Sequence, residues 1–263
     1  MNADVAAVVA AVRERAPLVH CITATVSMGL VADALLAAGG RPMMTETLAE
    51  APEMDALANA LLVNLGTLST DGLAGIPPTV AMARADGRPW VLDPTAVGVG
   101  PVRTRLARDL VTRRPTVVRG NASEVMALAG VGRGGRGADT TDPAVAALAA
   151  ARSLAAAYGS VVAVSGSTDL VTDGRRVVGV PAGHPLLTRV TGTGCALGAL
   201  VAACTAVAPP LVAAVAASAW LGLAGERAAA AAAGPGSFRI ALLDALDDVN
   251  PDDVAAVPIE EHP

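Results

Sequence analysis

Trp90-Val91-Leu92-Asp93-Pro94 is a short apolar run that stops abruptly at a carboxylate and a proline. The same grammar recurs on either side. Leu61-Leu62-Val63 runs into Asn64-Leu65-Gly66-Thr67, and Thr116-Val117-Val118 runs into Arg119-Gly120-Asn121, with Glu124 one turn further on. Val161–Val164 runs into Ser165-Gly166-Ser167. Runs of this length, rich in β-branched residues and closed by turn formers, predict buried strands. Further out, strands are predicted at Leu18–Ile22, Pro42–Met44, Ala60–Leu65, Pro89–Leu92, Thr116–Val118 and Val161–Val164. Helices are predicted between them near Thr25–Ala38, Pro52–Asn59, Asp71–Ala85, Val102–Arg113, Ala122–Ala129 and Pro143–Tyr158. Strict alternation of strand and helix implies an α/β fold with a mostly parallel central sheet and helices on both faces.

After Val164 the rhythm changes. Leu170–Thr172 and Arg175–Val180 flank Asp173-Gly174, a hairpin signal, so an antiparallel pair is expected late in the chain. From Val190 to Gly225 there is no charged residue, and Pro209-Pro210 divides the stretch. It reads as two buried core helices rather than a membrane span. A last helix is expected near Phe238–Val249, and a Gly- and Arg-rich insertion occupies Gly130–Asp142. No internal repeat is found, and residues 1–263 read as one domain.

Composition narrows the chemistry. The chain is 53% hydrophobic but only 2% aromatic, so its core must be built from small side chains packed closely between layers. Net charge is -5 and there is no basic block, which argues against a nucleic-acid partner. All basic residues other than His are Arg, and lysine is absent. A Walker A loop and lysine Schiff-base chemistry are thereby excluded. Cys21, Cys195 and Cys204 form no disulfide framework, and His20, His184 and His262 lack zinc-site spacing. No basic leader precedes an apolar run, so no signal peptide and a cytoplasmic location are expected.

In open α/β sheets ligands bind outside the carboxyl ends of the strands. Four predicted strands deliver Asn64, Asp93, Arg119 with Glu124, and Ser165 to that edge. Ahead of a predicted helix at Ala196–Val207 lies Val190-Thr191-Gly192-Thr193-Gly194-Cys195, a loop whose glycines and helix-start N–H groups suit an anion. Asp93 and Glu124 are a carboxylate pair of the kind that Mg²⁺ takes, and Arg119 can fork onto phosphate oxygens. A metal, a cation and an anion hole are the parts phosphoryl transfer needs. An ordinary set of strand-end turns and a capped helix is the competing reading of each motif taken alone.

Taken in order, His20-Cys21-Ile22-Thr23, Asn64-Leu65-Gly66-Thr67, Leu92-Asp93-Pro94, Arg119–Glu124 and Gly183-His184-Pro185-Leu186-Leu187-Thr188 through Cys195 resemble the hydroxyethylthiazole kinase family of the ribokinase-like superfamily. The resemblance covers roughly Pro17 to Ala203. It implies a ribokinase-like fold, ATP with Mg²⁺, and phosphorylation of the hydroxyl of 4-methyl-5-(2-hydroxyethyl)thiazole in thiamine salvage. Carried over, it places Met44 and Gly192 at the acceptor alcohol, Arg119 and Ser165 at ATP, and Asp93 and Glu124 at the metal and phosphates. Cys195 stands where the wider superfamily usually has an Asp base, and the family is typically a homotrimer. A thiol at a helix N-terminus is expected to have a lowered pKa and to serve as base; the alternative is a small residue that only shapes the anion hole. Cys21 and Ala24 replace two asparagines usual in the family's substrate loop, so a same-fold kinase of another small heteroaromatic alcohol is the second reading. A non-catalytic nucleotide-binding protein is the third, and the intact Asp93, Glu124, Arg119 and glycine loop speak against it.

Overall fold

The structure, a computed structural model, describes residues 1–132 and 143–262. The expected insertion at Gly130–Asp142 lies outside the described residues from position 133 onward. The strands are β1 (Leu18–Ile22), β2 (Arg41–Met43), β3 (Ala60–Asn64), β4 (Trp90–Asp93), β5 (Val117–Asn121), β6 (Val161–Ser165), β7 (Asp169–Thr172), β8 (Val177–Val180) and β9 (Glu260–His262). They form one sheet in the order β2-β1-β3-β4-β5-β6-β7-β8-β9. Pairing is parallel from β2 across to β6 and antiparallel from β6 to β9. The late hairpin is present, and β9 adds a third antiparallel strand that the sequence pattern did not announce.

The helices are α1 (Asn2–Arg15), α2 (Met28–Ala37), α3 (Ala51–Asp55), α4 (Thr70–Ala85), α5 (Pro101–Thr112), α6 (Ala122–Leu128), α7 (Leu148–Tyr158), α8 (Thr193–Thr205), α9 (Pro210–Ala231), α10 (Pro235–Asp248) and α11 (Pro251–Ala255). Strand side chains alternate between two cores, as a period of two requires. Ala60 and Leu62 of β3, Val91 of β4, Val117 of β5, and Val161 and Ala163 of β6 join the core beneath α1, α2, α8, α9 and α10. Leu61, Val63, Trp90, Leu92, Val118, Val162 and Val164 join the other, beneath α4, α5, α6 and α7.

The uncharged stretch becomes α8 and α9. At 22 residues α9 is long and apolar enough to cross a membrane, but 78% of its most apolar window is buried in the protein. It packs on α8, α10 and α1, which makes it a core helix. Pro210 starts it at N1, the helical position that does not need its N–H. Predicted boundaries shift by a few residues elsewhere. Strand β5 continues through Arg119 and Gly120 to Asn121 because β6 pairs with it that far. Asn121 then caps α6 and Glu124 returns the bond to its backbone, a reciprocal cap that ties strand end to helix start.

Candidate active site

Strand β2 lies on one side of β1 and β3 on the other, so the chain reverses its direction of winding between β1 and β3. A crevice at such a switch point opens outside the carboxyl ends of the strands. Asn64 ends β3 there, fully buried. Its Nδ2 donates to Thr95 Oγ1 at 3.1 Å and to Cys195 Sγ at 3.4 Å, and its Oδ1 accepts from the Gly66 N–H at 2.9 Å.

One strand further on, Asp93 is also buried. Thr95 Oγ1 donates to its Oδ1 at 2.7 Å, and Arg119 Nη1 lies 3.2 Å from its Oδ2. Arg119 Nη2 donates to Ser165 Oγ at 2.8 Å. The guanidinium therefore bridges the ends of β4 and β6 from its place on β5. Its Nε is buried without a hydrogen-bond partner. Burial opposes the charge on Arg119, but Asp93, Glu124, Asp169 and Cys195 surround it and hold its pKa up.

Glu124 sits beneath this layer, with Oε1 accepting from Ala96 N–H and Oε2 from Asn121 N–H, both at 2.9 Å. Burial, reinforced by the charge of Asp93, pushes its carboxyl up to about 7 against the pull of those two bonds and of Arg119. Asp169 closes the far side. It accepts from Gly166 N–H at 3.0 Å and from the Ser218 hydroxyl at 2.9 Å, pinning the Ser165–Thr168 turn to α9. Burial raises its pKa as well.

The start of α8 covers the cluster. Gly192 has φ 96° and precedes the first helical residue. A Cβ on it would fall 2.6 Å from Ser27 Cβ, and one on Gly194 would fall 2.9 Å from Arg119 Nη1. Glycine is thus demanded at Gly192 by space and by backbone conformation, while a side chain at position 194 would push the Arg119 guanidinium aside. The Thr193 hydroxyl donates to Leu187 O at 2.7 Å and so ties the preceding turn.

Of the residues singled out from sequence, Asp93, Arg119, Ser165, Glu124, Gly194 and Cys195 come together. Gly192 lies at the same helix start, against Ser27 and Leu30. Met44 lies one residue past β2, at the same sheet edge but beyond β1, and packs half-buried against the core. Cys195 is at the α8 N-terminus as expected, but its pKa is raised, not lowered. Burial and the nearby Asp93 charge outweigh its hydrogen bonds with Ser27 and Asn64 and the Arg119 charge. Arg119 does not present a free fork, because both terminal nitrogens already hold neighbours. Thr95, Ser27 and Asp169 belong to the site and were missed; only their proximity to Asp93, Thr23 and Ser165 in the chain hinted at them.

Among the described residues, no group of three or more His, Cys, Asp or Glu forms a ready metal cage. Asp93 and Glu124 nevertheless fit Mg²⁺. Their mutual repulsion in a buried setting is relieved by a cation, and Mg²⁺ keeps water and phosphate oxygens for much of its shell.

The sequence profile of the Hydroxyethylthiazole kinase family matches residues 9–252. The hydroxyethylthiazole kinase of Clavibacter sepedonicus is 53% identical over 244 residues, covering 92% of this chain and 89% of that one. That of Cereibacter sphaeroides is 51% identical over 240 residues, covering 91% and 92%. A solved structure of a hydroxyethylthiazole kinase protein from Pyrococcus horikoshii OT3 superposes with a TM-score of 0.91 at 38% identity, over 98% of this chain and 99% of that one. Pyridoxal kinase from Staphylococcus aureus, at 17% identity and a TM-score of 0.64, shares the fold. The chain belongs to the hydroxyethylthiazole kinase family, a group of ribokinase-like phosphotransferases.

Proposed function

We propose that this chain transfers the γ-phosphoryl group of ATP to the hydroxyl of 4-methyl-5-(2-hydroxyethyl)thiazole, a salvage step toward thiamine. Family membership supports the acceptor. The observation that carries the chemistry is the bridge of Asp93, Arg119 and Ser165 directly under the N-terminus of α8. Phosphoryl transfer asks a protein chiefly for positioning and for charge stabilisation, and this cluster supplies fixed positive charge and backbone N–H groups at one point.

Arg119 and Ser165 bind ATP in this reading, with Asp169 holding their turn in place. Asp93 and Glu124 would hold Mg²⁺, which when bound neutralises charge on the phosphates. Met44 and Gly192 contact the acceptor, and Cys195 faces its hydroxyl. The raised pKa of Cys195 makes it a neutral thiol, so it serves more by orienting the alcohol than by removing its proton early. A loose transition state needs little early proton removal.

The whole chain acts as one cytoplasmic kinase domain and assembles as a homotrimer whose neighbours complete the acceptor pocket. A mean hydropathy of +0.52 and the exposure of Val26, Leu36, Leu48, Leu57 and Ile240 support a covered surface. Another small heteroaromatic alcohol is the second reading, favoured by Cys21 and Ala24, neither of which offers an amide. ADP release measured with ATP, Mg²⁺ and a panel of thiazole, pyrimidine and pyridine alcohols decides between them. Turnover strongest with the thiazole is expected. No turnover with any alcohol would sink the assignment, and a monomer mass by light scattering at full activity would remove the trimer.

A further inference from the structure

His20 lies mid-strand in β1 with its side chain wholly buried, yet both its ring nitrogens are engaged. Nδ1 is 3.1 Å from Asp55 Oδ1 and Nε2 is 2.8 Å from Thr45 O. A carboxylate and a peptide carbonyl can only accept, and a neutral imidazole has one N–H to give. Filling both contacts takes two ring protons. Arg88 Nη1 donates to the other Asp55 oxygen at 2.7 Å, so that side chain acts as an acceptor on both oxygens. Arg88 is itself spent on Ala58 O, Ala56 O and Asp86. Arg88 thus faces two carboxylates, buried Asp55 and half-exposed Asp86, so one positive charge stands against two negative ones.

We propose that His20 is a positioning residue for the acceptor: as an imidazolium held by Asp55, it fixes the Thr45 carbonyl and with it the segment that carries Met44. This rests on the acceptor role given to Met44 above. Residues 44–47 are neither helix nor strand, so no ladder of backbone bonds sets their path. Two side-chain anchors do. His20 grips Thr45 from β1, and Ser69, the N-cap of α4, donates to Glu46 Oε1 at 2.7 Å. Between β1 and the Arg119 strand stand β3 and β4, so the effect falls on the acceptor and not on ATP.

The chain has three histidines, so the ring is directly observable. Nitrogen-15 NMR of the unliganded protein near neutral pH, with the His20→Gln spectrum as assignment, should show both His20 nitrogens protonated. A neutral ring overturns the proposal whatever the enzyme's substrate proves to be. In steady-state kinetics, His20→Gln should raise the KM for the alcohol about tenfold or more while the ATP KM stays within about twofold, the loss of one charge-assisted hydrogen bond. Equal changes in both constants, or none, overturn it. Should that variant fail to fold, Asp55→Asn keeps the shape, can accept from Arg88 and can donate to Nδ1. Its ring should carry a single proton, on Nε2, and its alcohol KM should rise by less than tenfold with the ATP KM again unmoved. A ring in Asp55→Asn that keeps both protons, or an ATP KM that rises with the alcohol KM, refutes the relay. If no alcohol is turned over at all, the kinase assignment fails, and the spectra still decide the state of the ring.

Discussion

Two buried arginine–aspartate pairs sit at opposite ends of the same sheet region, and they are built to different ends. Arg88 and Asp55 meet at 2.7 Å, with the arginine 10% exposed and the aspartate not at all. Every nitrogen of that guanidinium has an acceptor. Arg119 and Asp93 are equally buried, at 11% and 0%, but meet at 3.2 Å and leave Arg119 Nε unbonded. Around Arg119 crowd Glu124, Asp169 and Cys195, all with raised pKa values. A saturated pair is a fixture of the fold; an unsaturated one, ringed by perturbed acids and roofed by a helix N-terminus, is a place where charge is to be received.

If that contrast is right, the two pairs fail differently when cut. Asp93→Asn should lower kcat by about 10²–10³-fold, the scale of losing one preorganised electrostatic group, with Tm nearly unchanged. A rate like the wild type's, or full activity in EDTA, would strip Asp93 of its metal role. Arg88→Ala does the reverse: it takes one of two partners from buried Asp55 and the donor from the Ala56 and Ala58 carbonyls, and should cost about 3 kcal/mol, seen as a Tm drop on the order of 10 °C. Retained thermal stability in that variant would erase the distinction.

Finer changes sharpen it. Arg119→Lys keeps the charge but cannot bridge Asp93 and Ser165 with a planar fork. The ATP KM should rise by about tenfold, and a rise confined to the alcohol KM would contradict the placement. Glu124 supplies a pH signature. Its folded pKa is raised to about 7 from 4.5, so the folded state holds the proton more tightly than the unfolded chain. The stabilisation is full below about 4.5 and is lost as pH rises through about 7. Urea titrations of the metal-free protein across that window should show the decline, and Glu124→Gln should flatten it. The smallest effect is expected at Cys195. Cys195→Ala should slow single-turnover chemistry by about tenfold or less, below the range of general-base help. A loss of 10³ or more, with an ionisation vanishing from the pH profile, would show a true base.

The strand ends were legible because polar residues interrupt apolar runs at fixed places. Asn64, Asp93, Arg119 and Ser165 each close such a run, and parallel register sets Asn64 beside Asp93 and Ser165 two residues past the partner of Arg119. The glycine loop was legible for a similar reason: glycines ahead of an apolar helix leave backbone N–H groups open to close approach. Strand β9 was not, since Glu260-Glu261-His262 has no strand pattern of its own; it forms where β8 offers an open edge, and its charges suit an edge. Helix α1 was also passed over, although Val5, Val8, Val9 and Val12 make a buried stripe once α9 and α11 are in place.

The sequence by itself determined the alternation of strand and helix, the polar edge and the absence of lysine chemistry, because these depend on local pattern and composition. Tertiary structure decided the protonation of the groups at that edge. Position at a helix start favours a Cys195 thiolate, but burial beside Asp93 reverses the sign. Likewise, a histidine inside an apolar strand announces only that it needs partners. Which partners it has, Asp55 and Thr45 at 35 and 25 residues' distance along the chain, depends on how α3 and the segment after β2 fold back over β1. Local pattern carries no record of desolvation or of long-range charge, and those two terms set what each buried group can do.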